Sequence, residues 1–170
     1  MACILVSPLS AIERTIEAWQ PSHLITLLSP EHMIETPAPI AAERHLKLAL
    51  NDVVEEMPDM LPPTRDHIVR LVEFSRNWNT RAPMLIHCWA GISRSMAAAY
   101  ILLCERAPGC EFEVARILRQ RAPHAYPNPL MIQLADTFLQ REGRMVAAIA
   151  SIGRGEMVIE GGCVRLPLGS

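Results

Sequence analysis

Cys88, Arg94 and Ser95 lie in one short run, His87-Cys88-Trp89-Ala90-Gly91-Ile92-Ser93-Arg94-Ser95. A thiol, a guanidinium and a hydroxyl at this spacing suit attack on a bound oxyanion. The run follows an apolar segment, Met84-Leu85-Ile86, and opens onto another from Met96 to Cys104. That pattern reads as a buried strand, a tight loop and the first turn of a buried helix. A loop feeding a helix N-terminus aims backbone N–H groups at one point, and the helix dipole adds positive potential. Gly91 permits a backbone conformation that other residues resist. Arg94 offers a planar fork of donors matched to phosphate oxygens. Cys88 at the floor would be held as thiolate by the same N–H groups, the dipole and Arg94. A thiolate facing a bound phosphate is a nucleophile facing an electrophile. A lone cysteine in a strand–helix turn is usually packing; the linked Arg, Gly and Ser argue against that here.

Positioning these groups requires a strand that ends at Cys88 and neighbours that end on the same edge. Cys3–Val6 reads as a first strand, with Ser7-Pro8 as the cap and first position of a helix striped by Ile12, Ile16 and Trp19. His23–Leu28 is an almost wholly apolar strand, suited to a buried parallel position. His45–Leu50 is a third strand, ending at Asn51-Asp52. A long acidic, proline-bearing loop runs to Pro63; loops of that length without structure of their own tend to be functional. Helices follow over Thr64–Trp78, from about Ile92 to Glu105, over Glu111–Gln120 and over Leu130–Gln140. Strands alternating with helices imply an α/β fold: a mostly parallel central sheet flanked by helices, in three layers. Ligands bind such sheets at the carboxyl ends of the strands.

The chain has 170 residues, half of them hydrophobic and a fifth charged, with a net charge of −2. That is enough for one domain with a proper core. We expect residues 1–142 to form it and 143–170 to be an extension packed on or flanking it. In that tail, Met145–Ile152 reads as a continuation of the last helix. Met157-Val158-Ile159 and Val164-Arg165-Leu166 read as a hairpin about Gly161-Gly162. The weak charge argues against a nucleic-acid partner, and no apolar run is long enough to span a bilayer. The first residues lack the basic and apolar regions of a secretory signal. Five cysteines without metal-type spacing fit a reducing compartment, so a cytoplasmic location is expected. The pattern sets no oligomeric state.

The run His-Cys-x-x-Gly-x-Ser-Arg-Ser resembles the phosphate-binding loop of the cysteine-dependent protein tyrosine phosphatases, and Ala-Gly-Ile-Ser-Arg-Ser resembles the dual-specificity branch. The resemblance extends from about Leu46 to Phe138, through the strand ending in Asn-Asp, the acidic loop, and a later Arg-x-x-Pro and Pro-Asn before a helix. It implies hydrolysis of a phosphomonoester through a cysteinyl-phosphate intermediate, with no metal and no cofactor. Cys88 would be the nucleophile. Arg94 and the N–H groups of Trp89, Ala90, Gly91, Ile92, Ser93 and Arg94 would bind the phosphate. Ser95 would assist departure of the sulfur, and His87 would orient the loop through its ring N–H. An Asp on a loop would be the general acid. Asp52 directly follows a strand expected to lie parallel to Met84–His87, which brings it to the cradle. Asp59, in a Met-Pro-Asp stretch like a degraded Trp-Pro-Asp, is the competitor. Asp52 is the choice. A loop with no cationic side chain at 89–92 favours a phosphorylated protein or a small phosphomonoester over a highly phosphorylated inositol lipid. A pseudophosphatase binding module and a phosphatase of RNA 5′-phosphates or a phosphorylated metabolite are the alternatives.

Overall fold

The structure is a computed structural model that describes residues 3–169. The chain runs β1 (Cys3–Pro8), α1 (Ile12–Trp19), β2 (His23–Leu28), β3 (His45–Ala49), α2 (Arg65–Arg76), β4 (Met84–Cys88), α3 (Arg94–Arg106), α4 (Glu111–Arg121), α5 (Pro129–Phe138), α6 (Arg144–Ser151) and β5 (Val164–Pro167). The strands form one sheet in the order β3-β2-β4-β1-β5. The first four are mutually parallel and β5 is antiparallel to β1.

Strand alternation divides the core into two layers, because successive side chains leave a strand on opposite faces. Cys3, Leu5, Leu24 and Leu85 pack under α1 with Ile12 and Ile16. Ile4, Val6, Ile25, Leu27, Leu48, Ile86 and Cys88 face the cluster built on α2–α6. This is the expected three-layer α/β fold. Its centre is α3, in which every residue from Arg94 to Cys104 is buried. Burial pushes the Cys104 thiol up to about 12, so that cysteine is a packed, inert group.

The register sets the site edge. Pro8 pairs with Cys88, Thr26 with His87, and Leu28 with Ala49. All four parallel strands therefore end on one edge. Helix starts are pinned to that edge by side chains. Thr64 caps α2 in a capping box with His67, whose Nδ1 accepts from the Thr64 N–H. The other ring nitrogen, Nε2, then carries the proton and donates to Ala49 O at the end of β3, 3.0 Å away.

Three local expectations are corrected. Ser7 and Pro8 do not start a helix. They complete β1, and a 3₁₀ turn over Leu9–Ala11 precedes α1, because Ser7 is drawn into the ladder opposite His87. The helix after Phe138 does not continue. Residues with positive φ at Gln140, Glu142 and Gly143 break it. Asp136, buried, then starts α6 by accepting from the N–H groups of Gly143 (2.7 Å) and Met145 (2.8 Å). The tail forms no hairpin. Val164–Pro167 bypasses residues 157–159 and pairs with β1, whose outer edge was open.

Candidate active site

Cys88 ends β4 with its side chain on the multi-helix face, 2% exposed. Its Sγ lies 3.0 Å from Ser95 Oγ in the first turn of α3. Between them the chain makes a tight loop that only glycine permits at its centre. Gly91 has φ +69°, and a Cβ there would come within 2.8 Å of Pro8 N and 2.9 Å of Ser7 C.

The loop's carbonyls are bound outward by three separate segments and by α3 itself. Trp89 O accepts from Leu9 N (3.1 Å) after β1, and Ala90 O from Gly161 N (2.8 Å) in the tail. Ile92 O accepts from Tyr126 N (3.0 Å), and Ser93 O from Asn128 N (3.3 Å) and Ala97 N (2.9 Å). Among the described residues, no backbone N–H from Trp89 to Ser93 donates to a protein group. Donors without partners beside a helix N-terminus make an anion site. Arg94 is 8% exposed. It donates through Nη1 to Leu50 O at 2.9 Å, while its Nε has no partner among the described residues. The guanidinium is thus tied at one corner to the end of β3 and free at another.

Asp52 stands across the opening. Its Oδ1 accepts from Ser93 Oγ (2.8 Å) and from Asn128 Nδ2 (2.8 Å), and Asn128 Nδ2 also donates to Val53 O at 3.1 Å. Asn128 works at both ends of its amide, because its Oδ1 caps α5 by accepting from Met131 N at 3.1 Å. With Oδ1 occupied by two donors, any proton on this carboxyl sits on Oδ2. The rest of the loop is pinched off where Asn51 and Leu61 exchange backbone N–H···O and N–H···Oδ1 bonds of 2.7 and 2.8 Å. Residues 54–61 are all exposed. Asp59 is on that exposed arc in a left-handed conformation (φ +59°), outside the cavity at Cys88.

That cavity measures about 470 Å³, with Asp52, Cys88 and Arg94 in its wall and Val54 and Tyr126 as apolar parts of it. A larger open hollow of about 630 Å³ beside Glu13, Glu17 and Pro39 is remote from the thiol. Trp89 is 53% exposed and meets His32 edge-on, ring centres 4.9 Å apart, so its indole is a lip while its backbone belongs to the loop. His87 is fully buried, with Nδ1 3.2 Å from Cys88 O and Nε2 2.7 Å from Thr26 Oγ1. Burial above all, with help from His45 and Arg94, holds its imidazole down at about 4. It is a neutral ring near pH 7.

The sequence singled out Cys88, Arg94, Ser95, His87 and Asp52, and the fold brings all five to one edge. It did not single out Asn128, Leu9, Gly161 or Thr26. Of these, Asn128 stood in the Pro-Asn pair before the last helix, and Thr26 was a hydroxyl inside an otherwise apolar buried strand.

Residues 56–123 match the family model "Protein-tyrosine phosphatase". No curated protein sequence matches the chain. Solved structures share its fold at low identity. PTPMT1, solved in complex with PI(5)P, superposes with a TM-score of 0.62 at 16% identity over 85% of this chain and 92% of that one. DUSP15 gives 0.59 at 16% over 89% and 94%. The human tyrosine phosphatase-like serine/threonine/tyrosine-interacting protein gives 0.63 at 15% over 83% and 97%. Residues 56–123 are thus similar to the protein-tyrosine phosphatase family model, and the chain as a whole has the fold of these phosphatase and phosphatase-like structures.

Proposed function

We propose that this phosphatase hydrolyses phosphomonoesters through a cysteinyl-phosphate intermediate, with a phosphorylated protein side chain as substrate. The observation that carries the reading is the row of unpaired N–H groups from Trp89 to Ser93 between Cys88 Sγ and the unpaired corner of Arg94. In the first step the Cys88 thiolate attacks phosphorus in line. The S–P bond forms, the bond to the leaving oxygen breaks, and the proton on Asp52 Oδ2 passes to that oxygen. The loop donors and Arg94 hold the equatorial oxygens as charge shifts. In the second step Asp52 takes a proton from water, water attacks phosphorus, and the S–P bond breaks. The Ser95 hydroxyl, 3.0 Å from Sγ, donates to the departing thiolate. No step calls for a metal or a cofactor.

Substrate class follows from the wall. Arg94 is the one cation in the 88–94 loop, and the cavity's apolar parts suit the body of an aryl or short alkyl ester. The solved complex of PTPMT1 holds PI(5)P, whose ring carries one phosphomonoester; a more highly phosphorylated headgroup would call for more cations than this loop carries. A binding module without turnover is disfavoured by the full set of Cys88, Arg94, Ser95 and Asp52. The free cysteines support a reducing, cytoplasmic setting.

The test is turnover of an aryl phosphate alongside vanadate binding. Cys88→Ser lowers turnover by at least about 10⁴-fold, as loss of a nucleophile does, and still binds vanadate. Arg94→Lys weakens both, because an ammonium lacks the planar fork. Substantial turnover by Cys88→Ser would overturn the reading.

A further inference from the structure

His87 and Cys88 are consecutive, so their side chains leave β4 on opposite faces. Cys88 faces α2–α6, while His87 shares the α1 face with Leu85. The histidine therefore reaches the nucleophile only through backbone. On its own face it ends a row of four polar side chains. His87 Nε2 is 2.7 Å from Thr26 Oγ1, Thr26 Oγ1 is 2.8 Å from His45 Nε2, and His45 Nδ1 is 2.8 Å from Thr36 Oγ1.

The far end of the row orients every proton in it. Cys88 O can only accept, so His87 Nδ1 carries the proton and Nε2 is bare. The Thr26 hydroxyl must then donate to Nε2. Its oxygen accepts from His45 Nε2–H, which leaves His45 Nδ1 bare to accept from Thr36. Both rings are neutral near pH 7. Burial holds each down at about 4, with His45 and Arg94 adding to the effect at His87 and Lys47 at His45.

A trans peptide points its C=O and the following N–H in opposite directions. Holding Cys88 C=O on the α1 face turns the Trp89 N–H to the other face, where Cys88 Sγ lies. We propose that Thr26 and His45 are positioning residues of the reaction: this one-way row keeps His87 in the Nδ1–H tautomer and so aims the first N–H of the phosphate loop at the nucleophile. The proposal rests on Cys88 being that nucleophile.

Two measurements test it. Long-range ¹H–¹⁵N correlation on the full chain at neutral pH reads the tautomers directly, with no variant required. His87 is expected as Nδ1–H and His45 as Nε2–H; His87 as Nε2–H would overturn the proposal. The second compares Thr26→Val, which removes the hydroxyl at nearly constant shape, with Thr26→Ser, which keeps it. Thr26→Val is expected to lower kcat about tenfold with KM near wild type, the scale of one lost hydrogen bond. It should also move the pH midpoint of Cys88 alkylation by iodoacetate, read at the Cys88 peptide by mass spectrometry, to higher pH. Thr26→Ser should restore both. An unmoved alkylation profile in Thr26→Val, or failure of Thr26→Ser to rescue, would reduce Thr26 to packing and overturn the proposal. Tautomers and alkylation need no turnover. A wild type that shows both as stated yet hydrolyses no aryl phosphate would sink the phosphatase reading and leave the row standing.

Discussion

Two loops meet over Cys88, and they are held in opposite ways. The 88–94 loop is clamped from outside: Leu9, Tyr126, Asn128 and Gly161 each donate to one of its carbonyls, and its glycine has no room for a side chain. The 51–61 loop is held at its root, by the Asn51–Leu61 pair, the two bonds on Asp52 and the Asn128–Val53 bond, and its arc from 54 to 61 is exposed. On the proposed mechanism, the difference follows from what each loop must do. Donors that stabilise developing charge act best when they are already aligned, so that nothing reorganises during the reaction. A carboxyl that gives a proton and then takes one must approach two different oxygens, which calls for one fixed oxygen and one free one. Asp52 has that form, with Oδ1 bound and Oδ2 unbound.

The sharpest way to break this contrast is at the root of the second loop. Asp52→Asn removes the proposed proton donor and should lower turnover of an ester with a poor leaving group by about 10²–10⁴-fold, the usual range for a general acid. It should also flatten the basic limb of the pH profile. Asp59→Asn, on the free arc, should stay near wild type. The opposite outcome in steady-state kinetics would move the acid from root to arc.

A smaller effect separates holding Asp52 from being Asp52. Asn128→Ser keeps a good cap on α5 but has no amide to reach Asp52 Oδ1. Melting temperature should change little, while kcat falls about 10–10²-fold, the scale of a misplaced catalytic group. A large fall in melting temperature with kcat intact would mean that Asn128 serves the helix alone.

The remaining expected effect is on stability rather than rate, and it sets the clamped side of the site apart from the open one. His87 and His45 take up a proton at about 4 in the folded chain, against an ordinary value of 6.5. Between these values the unfolded chain binds more protons, so stability is complete above about pH 6.5 and declines as pH falls toward 4. The slope is up to about 1.4 kcal/mol per pH unit for each ring. Denaturant melts at pH 7.5 and pH 5 should show the loss, and His45→Gln should reduce it. Equal slopes in the two proteins would contradict a buried, neutral His45.

The parts of the molecule that the sequence disclosed are those with local signals. The apolar strands, the stripe of α1, the apolar run of α3, the Cys88–Arg94 spacing and the adjacency of Asp52 to a strand end could all be read along the chain. The rest depends on contacts between segments remote in sequence. Asn128 could be read only as part of a Pro-Asn pair before a helix, because its hold on Asp52 exists only once α5 docks. Thr26 was a lone hydroxyl until His45 and His87 came to either side of it. The end of the chain misled most. Val164–Leu166 had a strand's composition, but nothing local to it named β1 as its partner, and a hairpin with 157–159 was the nearest alternative. Ser7-Pro8 misled for the same reason, since a cap signature gave way to pairing with β4.

The return of β5 to β1 bears on the order in which this chain can be finished during synthesis. A ribosome releases β1 first, yet its outer edge is covered only when Val164–Pro167 has emerged, and Ala90 O meets Gly161 at nearly the same moment. A nascent chain halted before residue 161 would carry Cys88, Arg94 and most of the core, but with one clamp of the 88–94 loop missing and a strand edge open to other chains. Contacts between the first and last strands are also the slowest to close, since the whole intervening chain must be looped to make them. Completion of the 88–94 loop thus waits on residue 161, more than sixty residues after the loop itself.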